Sequence, residues 1–144
     1  MTLKAKQDVE VAAKGDTWIL SAALAGSGGS QVAVSAVISV AVLMRDVLAK
    51  VGTGSTLSAT NGSALVQALG EDLLVSVILT GAASTGSAAV GGMLPVTVGE
   101  STVRAILADG TADKFVTMQG GDSVGVIADL NSRNYIVAGS ITAS

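Results

Sequence analysis

Between Gln31 and Met44 the sequence reads QVAVSAVISVAVLM, and every even position from 32 to 44 is apolar: Val32, Val34, Ala36, Ile38, Val40, Val42 and Met44. The odd positions are mostly small (Ala33, Ser35, Ser39, Ala41), broken by Val37 and Leu43. Alternation with a period of two is the period of a β-strand, whose successive side chains point to opposite faces. A helix would scatter these valines round its circumference and restrict χ1 at each. The stretch is expected to form one long bent strand or a strand pair, with the β-branched even set turned inward. On that assignment an aspartate at Val40, or at Val96 further on, would be buried without a partner, while one at Ser39 would be mild.

The same pattern recurs 55 or 56 residues later. DTWILSAALAG from Asp16 lies over EDLLVSVILTG from Glu71, with Ser21 over Ser76 and Leu24 over Leu79. AVSAVISVAV from Ala33 lies over AVGGMLPVTV from Ala89, placing Val34 over Val90, Val40 over Val96 and Val42 over Val98. RDVLAKVGTGS from Arg45 matches STVRAILADGT from Ser101. A partial third copy follows Gly121, with Val124 over Val9 and Val126 over Val11, and a longer turn is expected over Asp129 to Asn134. The blocks span about 8–62, 63–120 and 121–144, all in one domain.

Within the first block the expectation is a frayed start over residues 1–7 and a strand over Asp8 to Ala13. A turn follows at Lys14-Gly15-Asp16, then a strand over Trp18 to Leu24 and a Gly/Ser corner from Ala25 to Ser30. Beyond the long stretch, Arg45 to Val51 suggests another short strand, closed by a turn at Gly52 to Ser55. Repeated strand-length runs joined by glycine turns, with no helical period, are the signature of a β-solenoid. Each block is expected to make two or three coils, stacked about 4.8 Å apart as parallel strands. The fold class expected is all-β, a parallel β-helix, with a β-sandwich as the alternative. Aliphatic ladders would explain how a chain that is 49% hydrophobic and only 2% aromatic builds a core.

The succession VEVAAKGDT, LSAALAGSGG, VAVSAVISVAV, VGTGSTLSA resembles the repeats of large secreted bacterial proteins. These are the filamentous-haemagglutinin-like and leukotoxin-like autotransporter passengers. The resemblance covers most of the chain through low-complexity motifs. It implies a right-handed parallel β-helix stalk, surface display and adhesion. Apolar residues at positions expected to face outward (Val37, Leu43, Met93) depart from a plainly solvated stalk.

The residue inventory narrows the chemistry. There is no Cys and no His, which removes a disulfide framework, a thiol nucleophile, thiolate zinc sites and the usual general base. Eight basic residues lie singly in a chain of net charge −3, so no run of phosphates could be neutralised and no nucleic acid is expected as a partner. Asp109-Gly-Thr-Ala-Asp113, Gly120-Gly-Asp122 and Glu71-Asp72 could offer oxygens to calcium, but none reproduces a calcium-binding loop or nonapeptide repeat, and turn residues are the reading adopted. Asn61-Gly-Ser63 matches a glycosylation acceptor and is read as an Asn-Gly turn. Gly26-Ser-Gly-Gly29 and Gly52-Thr-Gly54 lack the lysine and helix of a phosphate loop. Lys4, Lys6, Lys14, Lys50 and Lys114 have no Ser-x-x-Lys partner, and Trp18 and Tyr135 are read as marking one repeat position. No catalytic, cofactor-binding or metal residue is therefore assigned, and no enzyme activity or cofactor is expected.

The function expected is structural: a self-assembling extracellular segment of an adhesin stalk or surface fibre. Self-association would run through uncapped coil ends, with a host or neighbouring-cell surface as a further partner class. Two charge-free stretches, Thr17 to Met44 and Leu73 to Gly99, keep a membrane-inserting or toxin-like module as the alternative, although a membrane is not the partner expected. A polysaccharide-acting β-helix ranks below both. The start MTLKAKQDVEV has no apolar run behind its lysines and is not a signal peptide, which leaves either a cytoplasmic protein or an internal piece of a longer secreted or cell-surface chain; the repeats make the second the expectation.

Overall fold

The structure, a computed structural model, describes residues 1–108 and 115–144. It is a parallel β-solenoid. The strands are β1 (Thr2–Ala5), β2 (Val9–Gly29), β3 (Val32–Val51), β4 (Thr56–Ala59), β5 (Ala64–Ser84), β6 (Ala88–Leu107), β7 (Thr117–Gly120) and β8 (Val124–Ala143). They form three sheets, ordered β1-β4-β7, β2-β5-β8 and β3-β6. Each repeat block makes one coil, not two or three, because its short runs fuse into strands of 20 and 21 residues.

Register ties equivalent residues together. Thr2 to Ala5 pair in parallel with Thr56 to Ala59, and these with Thr117 to Gly120. The start of the chain is therefore a strand of the first coil rather than a frayed end. Bonds at the strand ends fix the other sheets. Val9 N–H donates to Ser63 O and Thr85 N–H to Gly29 O, which sets β2 on β5 with Val9 beside Ala64. Ala64 N–H donates to Ser123 O, so Val124 joins the same row, as its place in the third copy predicts. Ala88 N–H donates to Gln31 O and Ala108 N–H to Val51 O, aligning Val32 with Ala88 along β3 and β6.

By its contacts the chain divides into two compact units. Unit 1 is Met1–Asp16, Arg45–Glu71 and Ser101–Ser132; unit 2 is Thr17–Met44, Asp72–Glu100 and Arg133–Ser144. In unit 1 the core is aliphatic: Val9, Val47, Ala49, Val51, Leu57, Ala59, Val66 and Ala68 are buried together. The interior of unit 2 is more polar, with Ala33, Ser35, Ser39, Ala41, Leu43, Asp72, Leu74, Ser76, Ile78, Thr80, Ala82 and Ser84 buried. Within each unit β2 faces β3 through side chains. In unit 1 a Cβ on Gly15 would lie 2.6 Å from Val47 Cγ2, and in unit 2 the hydroxyls of Ser21 and Ser39 are 3.0 Å apart.

The Gly/Ser corner expected over Ala25 to Ser30 is strand as far as Gly29, the chain bending only at Ser30 and Gln31. Three more expectations are corrected here. Lys14-Gly15-Asp16 is not a turn, because β2 runs straight through it with Gly15 turned inward. Asp129 to Asn134 is not a turn either, since β8 is continuous from Val124 to Ala143. The third correction concerns the faces. Along β3 the odd positions are inside: Ala33, Ser35, Ser39, Ala41 and Leu43 are buried, while Val32, Val34, Ile38, Val40, Val42 and Met44 are exposed. Val37 and Met93 also sit on the inward, partly buried side, so the apolar departures lie at Val32 to Met44 instead. The physical reason is the continuity of β3. Asp46 and Lys50 at its far end must face solvent, and a period of two carries that parity back to Val32. Glu10, Lys14 and Asp16 do the same for Trp18, Leu20 and Leu24 on β2.

Candidate assembly surfaces

Charge is distributed unevenly. In unit 2 the charged residues are Asp72 and Glu100, the two ends of one segment, and Arg133, the first residue of another. Everything between them is uncharged, yet its outward rows are apolar. On the β3-β6 face those rows are Val34 with Val90, Ala36 with Gly92, Ile38 with Leu94, Val40 with Val96 and Val42 with Val98. Their larger members are exposed, from Val96 at 36% to Ile38 at 70%. Unit 2 thus departs from the usual sorting: small and hydroxyl side chains share the inside with Leu43, Leu74 and Ile78, and β-branched ones coat the outside.

The opposite face carries a cleft of about 350 Å³. Leu24, Leu79 and Ile141 rim it, and Gly26, Gly81 and Gly139 leave the space open. Its lining holds no titratable group, so it offers no chemistry beyond apolar contact. Trp18 and Tyr135 lie on this face in adjacent rows, Trp18 with Leu73 and Tyr135 with Val75, rather than at one equivalent position.

The turns are tied by hydrogen bonds between coils. At the Ser30-Gln31 corner, Ser84 Oγ donates to Gln31 O at 2.9 Å and accepts from Gly86 N–H at 3.0 Å. Asn61-Gly62-Ser63 is a corner between β4 and β5, as the turn reading expects, with Asn61 N–H on Lys6 O. Ser63 N–H donates to Asp8 Oδ1 at 2.8 Å, and the Ser63 and Ser123 hydroxyls lie 2.8 Å apart, forming a polar column at that corner. Asp122 occupies the next corner, where its N–H donates to Gly62 O.

The carboxylates do not converge. Glu71 points outward and Asp72 inward on β5, and Asp109, Asp113 and Lys114 fall outside the described residues. Among the described residues no three acidic side chains group as metal ligands would. The polar feature that sequence reasoning missed is Arg45. It turns inward in unit 1 and donates from Nη1 to Gly15 O at 2.5 Å and to Glu71 O at 2.8 Å. The available signal was its odd position, in step with Val47, Ala49 and Val51.

No helix among the described residues is long and apolar enough to cross a membrane. Compared with known protein families, curated proteins and solved structures, the chain matches none of them.

Proposed function

We propose that this chain is a structural, self-assembling β-solenoid segment whose work is to stack coils, as in the stalk of an extracellular bacterial adhesin or a surface fibre. One observation carries the reading: equivalent residues pair in parallel from coil to coil, and β2 and β8 are the outer strands of the largest sheet. An edge strand presents backbone N–H and C=O groups ready to pair with another strand. Val9 N–H and Gly29 O both turn toward β5, so the alternate, even positions of β2 direct their backbone groups to the open edge. A strand this long and sparsely charged is a strong template. The resemblance of the repeats to secreted adhesin passengers supports a place outside the cell.

The experiment is edge blocking. Ala12→Pro removes an edge N–H from β2 without touching a bond to β5, and Ala128→Pro does the same on β8. Sedimentation velocity and electron microscopy across a dilution series should show the wild-type chain forming oligomers or fibres. The double proline chain should keep its β-sheet circular dichroism and lose them. A wild-type chain that stays monomeric at high micromolar concentration overturns the proposal.

A further inference from the structure

We infer that the outer β3-β6 face of unit 2 is a lateral docking surface for the same face of a second copy of this chain. It is a different surface from the strand edges, and it is self-complementary. The Ile38 and Leu94 side chains form a ridge across the two strands, with Ile38 70% and Leu94 55% exposed. Beside it the Ala36–Gly92 row forms a groove, and a Cβ built on Gly92 would meet nothing within 4 Å. A two-fold axis lying in the face, parallel to the stacking direction and level with Val37, puts each copy's ridge into the other's groove. That operation pairs β3 with β3 and β6 with β6 and makes an isologous contact. It also leaves both solenoids stacking in the same direction, so paired filaments can elongate together.

Charge does not oppose the contact. From Val32 to Met44 and from Ala88 to Val98 no residue is charged. Size sets its strength. Two strands of this length present a strip about 40 Å long and about 10 Å wide, or about 400 Å² per partner. That is half the roughly 800 Å² per partner of a standard stable interface. Face pairing of single chains is therefore weak, and it strengthens with each coil added by stacking. A bilayer is the competing occupant of an uncharged apolar face. It is disfavoured because the open edges of β3 and β6 would bring unpaired backbone groups into hydrocarbon, where such edges are not tolerated.

The test uses the full chain with its β2 and β8 edges blocked by Ala12→Pro and Ala128→Pro, so that stacking through the largest sheet and face pairing are read separately. Sedimentation equilibrium up to several hundred micromolar should show a reversible monomer–dimer mixture. Adding Ile38→Lys and Leu94→Lys should weaken the dimer by at least about tenfold with circular dichroism unchanged. Ala36→Leu, which fills the groove without adding charge, should weaken it too. The native chain has no Cys, so a mixture of Ala36→Cys and Ile38→Cys chains should cross-link on oxidation in preference to either alone. A chain that remains monomeric, or a dimer indifferent to both the lysines and Ala36→Leu, overturns the inference. So does flotation with phosphatidylcholine vesicles by a chain that forms no dimer, which would assign the face to lipid.

Discussion

The guanidinium of Arg45 reaches the backbone of Gly15, its Nη1 donating to the carbonyl oxygen at 2.5 Å while a second bond runs to Glu71 O at 2.8 Å. Space around it comes from glycines, Gly70 beside the guanidinium and Gly15 beside the neighbouring Val47. A Cβ on Gly15 would lie 2.6 Å from Val47 Cγ2 and 3.7 Å from Arg45 Cδ, and one on Gly70 would lie 2.5 Å from Arg45 Nη2 and 2.7 Å from Val103 Cγ2. Both contacts fall inside unit 1, where the surrounding side chains are packed and have little room to give.

Gly15→Ala and Gly70→Ala should therefore each destabilise the chain by about 1–3 kcal/mol, the range for overpacking a filled interior. Gly92→Ala, whose new methyl meets open space, should stay within about 0.5 kcal/mol. Urea unfolding of the three variants checks the contrast, and an equal loss at Gly15 and Gly92 would refute the packing assigned to Gly15.

Replacing Arg45 with Met keeps much of the aliphatic stem and deletes the donors. The loss should be at least the roughly 1.5–3 kcal/mol of one hydrogen bond to a charged group. Lysine at the same position brings one compact ammonium in place of the planar fork and should recover only part of it. Unfolding midpoints ranked wild type, Arg45→Lys, Arg45→Met are the expected order.

The faces of β3 give a sharper contrast. Ser39 is 8% exposed, with its hydroxyl 3.0 Å from that of Ser21, whereas Val40 is 61% exposed. Ser39→Asp should bury a carboxylate among apolar and hydroxyl groups and cost about 3 kcal/mol or more. Val40→Asp should cost under about 1 kcal/mol, the span of strand propensities. Thermal unfolding in which Val40→Asp is the more damaging would restore the inward valines that the alternation suggests.

That reversal marks where the sequence stops being legible. A period of two shows a strand and, through its recurrence after Val90, Val96 and Val98, shows that strands stack. It does not show which of the two sets is inside, because a shift of one residue exchanges the faces without changing the period. The deciding residues lie outside the valine run, at Asp46 and Lys50 on β3 and at Glu10, Lys14 and Asp16 on β2. Treating Lys14-Gly15-Asp16 and Arg45 as breaks severs those strands and discards the parity they carry. Gly15 resembles a turn residue only because its real task, making room for Val47, belongs to a residue far along the chain. The corners at Gly52–Ser55 and Asn61–Ser63 were legible because their constraints are local. The outward position of the apolar β3-β6 rows was not, since an exposed apolar face and a core face have the same composition.

On the outside of unit 1, Arg104 Nη2 lies 2.5 Å from Asp46 Oδ2 across β3 and β6. Both side chains are about half exposed, 49% and 53%, so solvent screens the pair and its net worth is small. Arg104→Ala should lower stability by less than about 1 kcal/mol, and raising the salt concentration should shrink even that difference. A loss of several kcal/mol would mean that the pair holds the β3-β6 register rather than decorating it.

The turn between β3 and β4 supplies the last test. Gly52-Thr53-Gly54-Ser55 leads from Val51 into Thr56, and Gly54 has a φ of 70°, the sole positive φ among the described residues. In that region a Cβ crowds the carbonyl oxygen, at about 1–2 kcal/mol for an L-residue other than glycine. Ser55 follows directly, and its carbonyl accepts from Thr117 N–H at 2.9 Å, so a change in the turn would be passed to the pairing of the next coil. Gly54→Ala should therefore destabilise by about 1–2 kcal/mol, with Gly54→Asn milder because asparagine tolerates this conformation better. Gly52, two residues earlier, has no atom within 4 Å of a built Cβ and no positive φ, so Gly52→Ala should be neutral or slightly stabilising through the unfolded chain. Denaturant midpoints for the two alanine variants measured side by side decide the matter. If Gly52→Ala proves as costly as Gly54→Ala, the turn is sensitive to any side chain and the conformation assigned to Gly54 is not what the coil depends on.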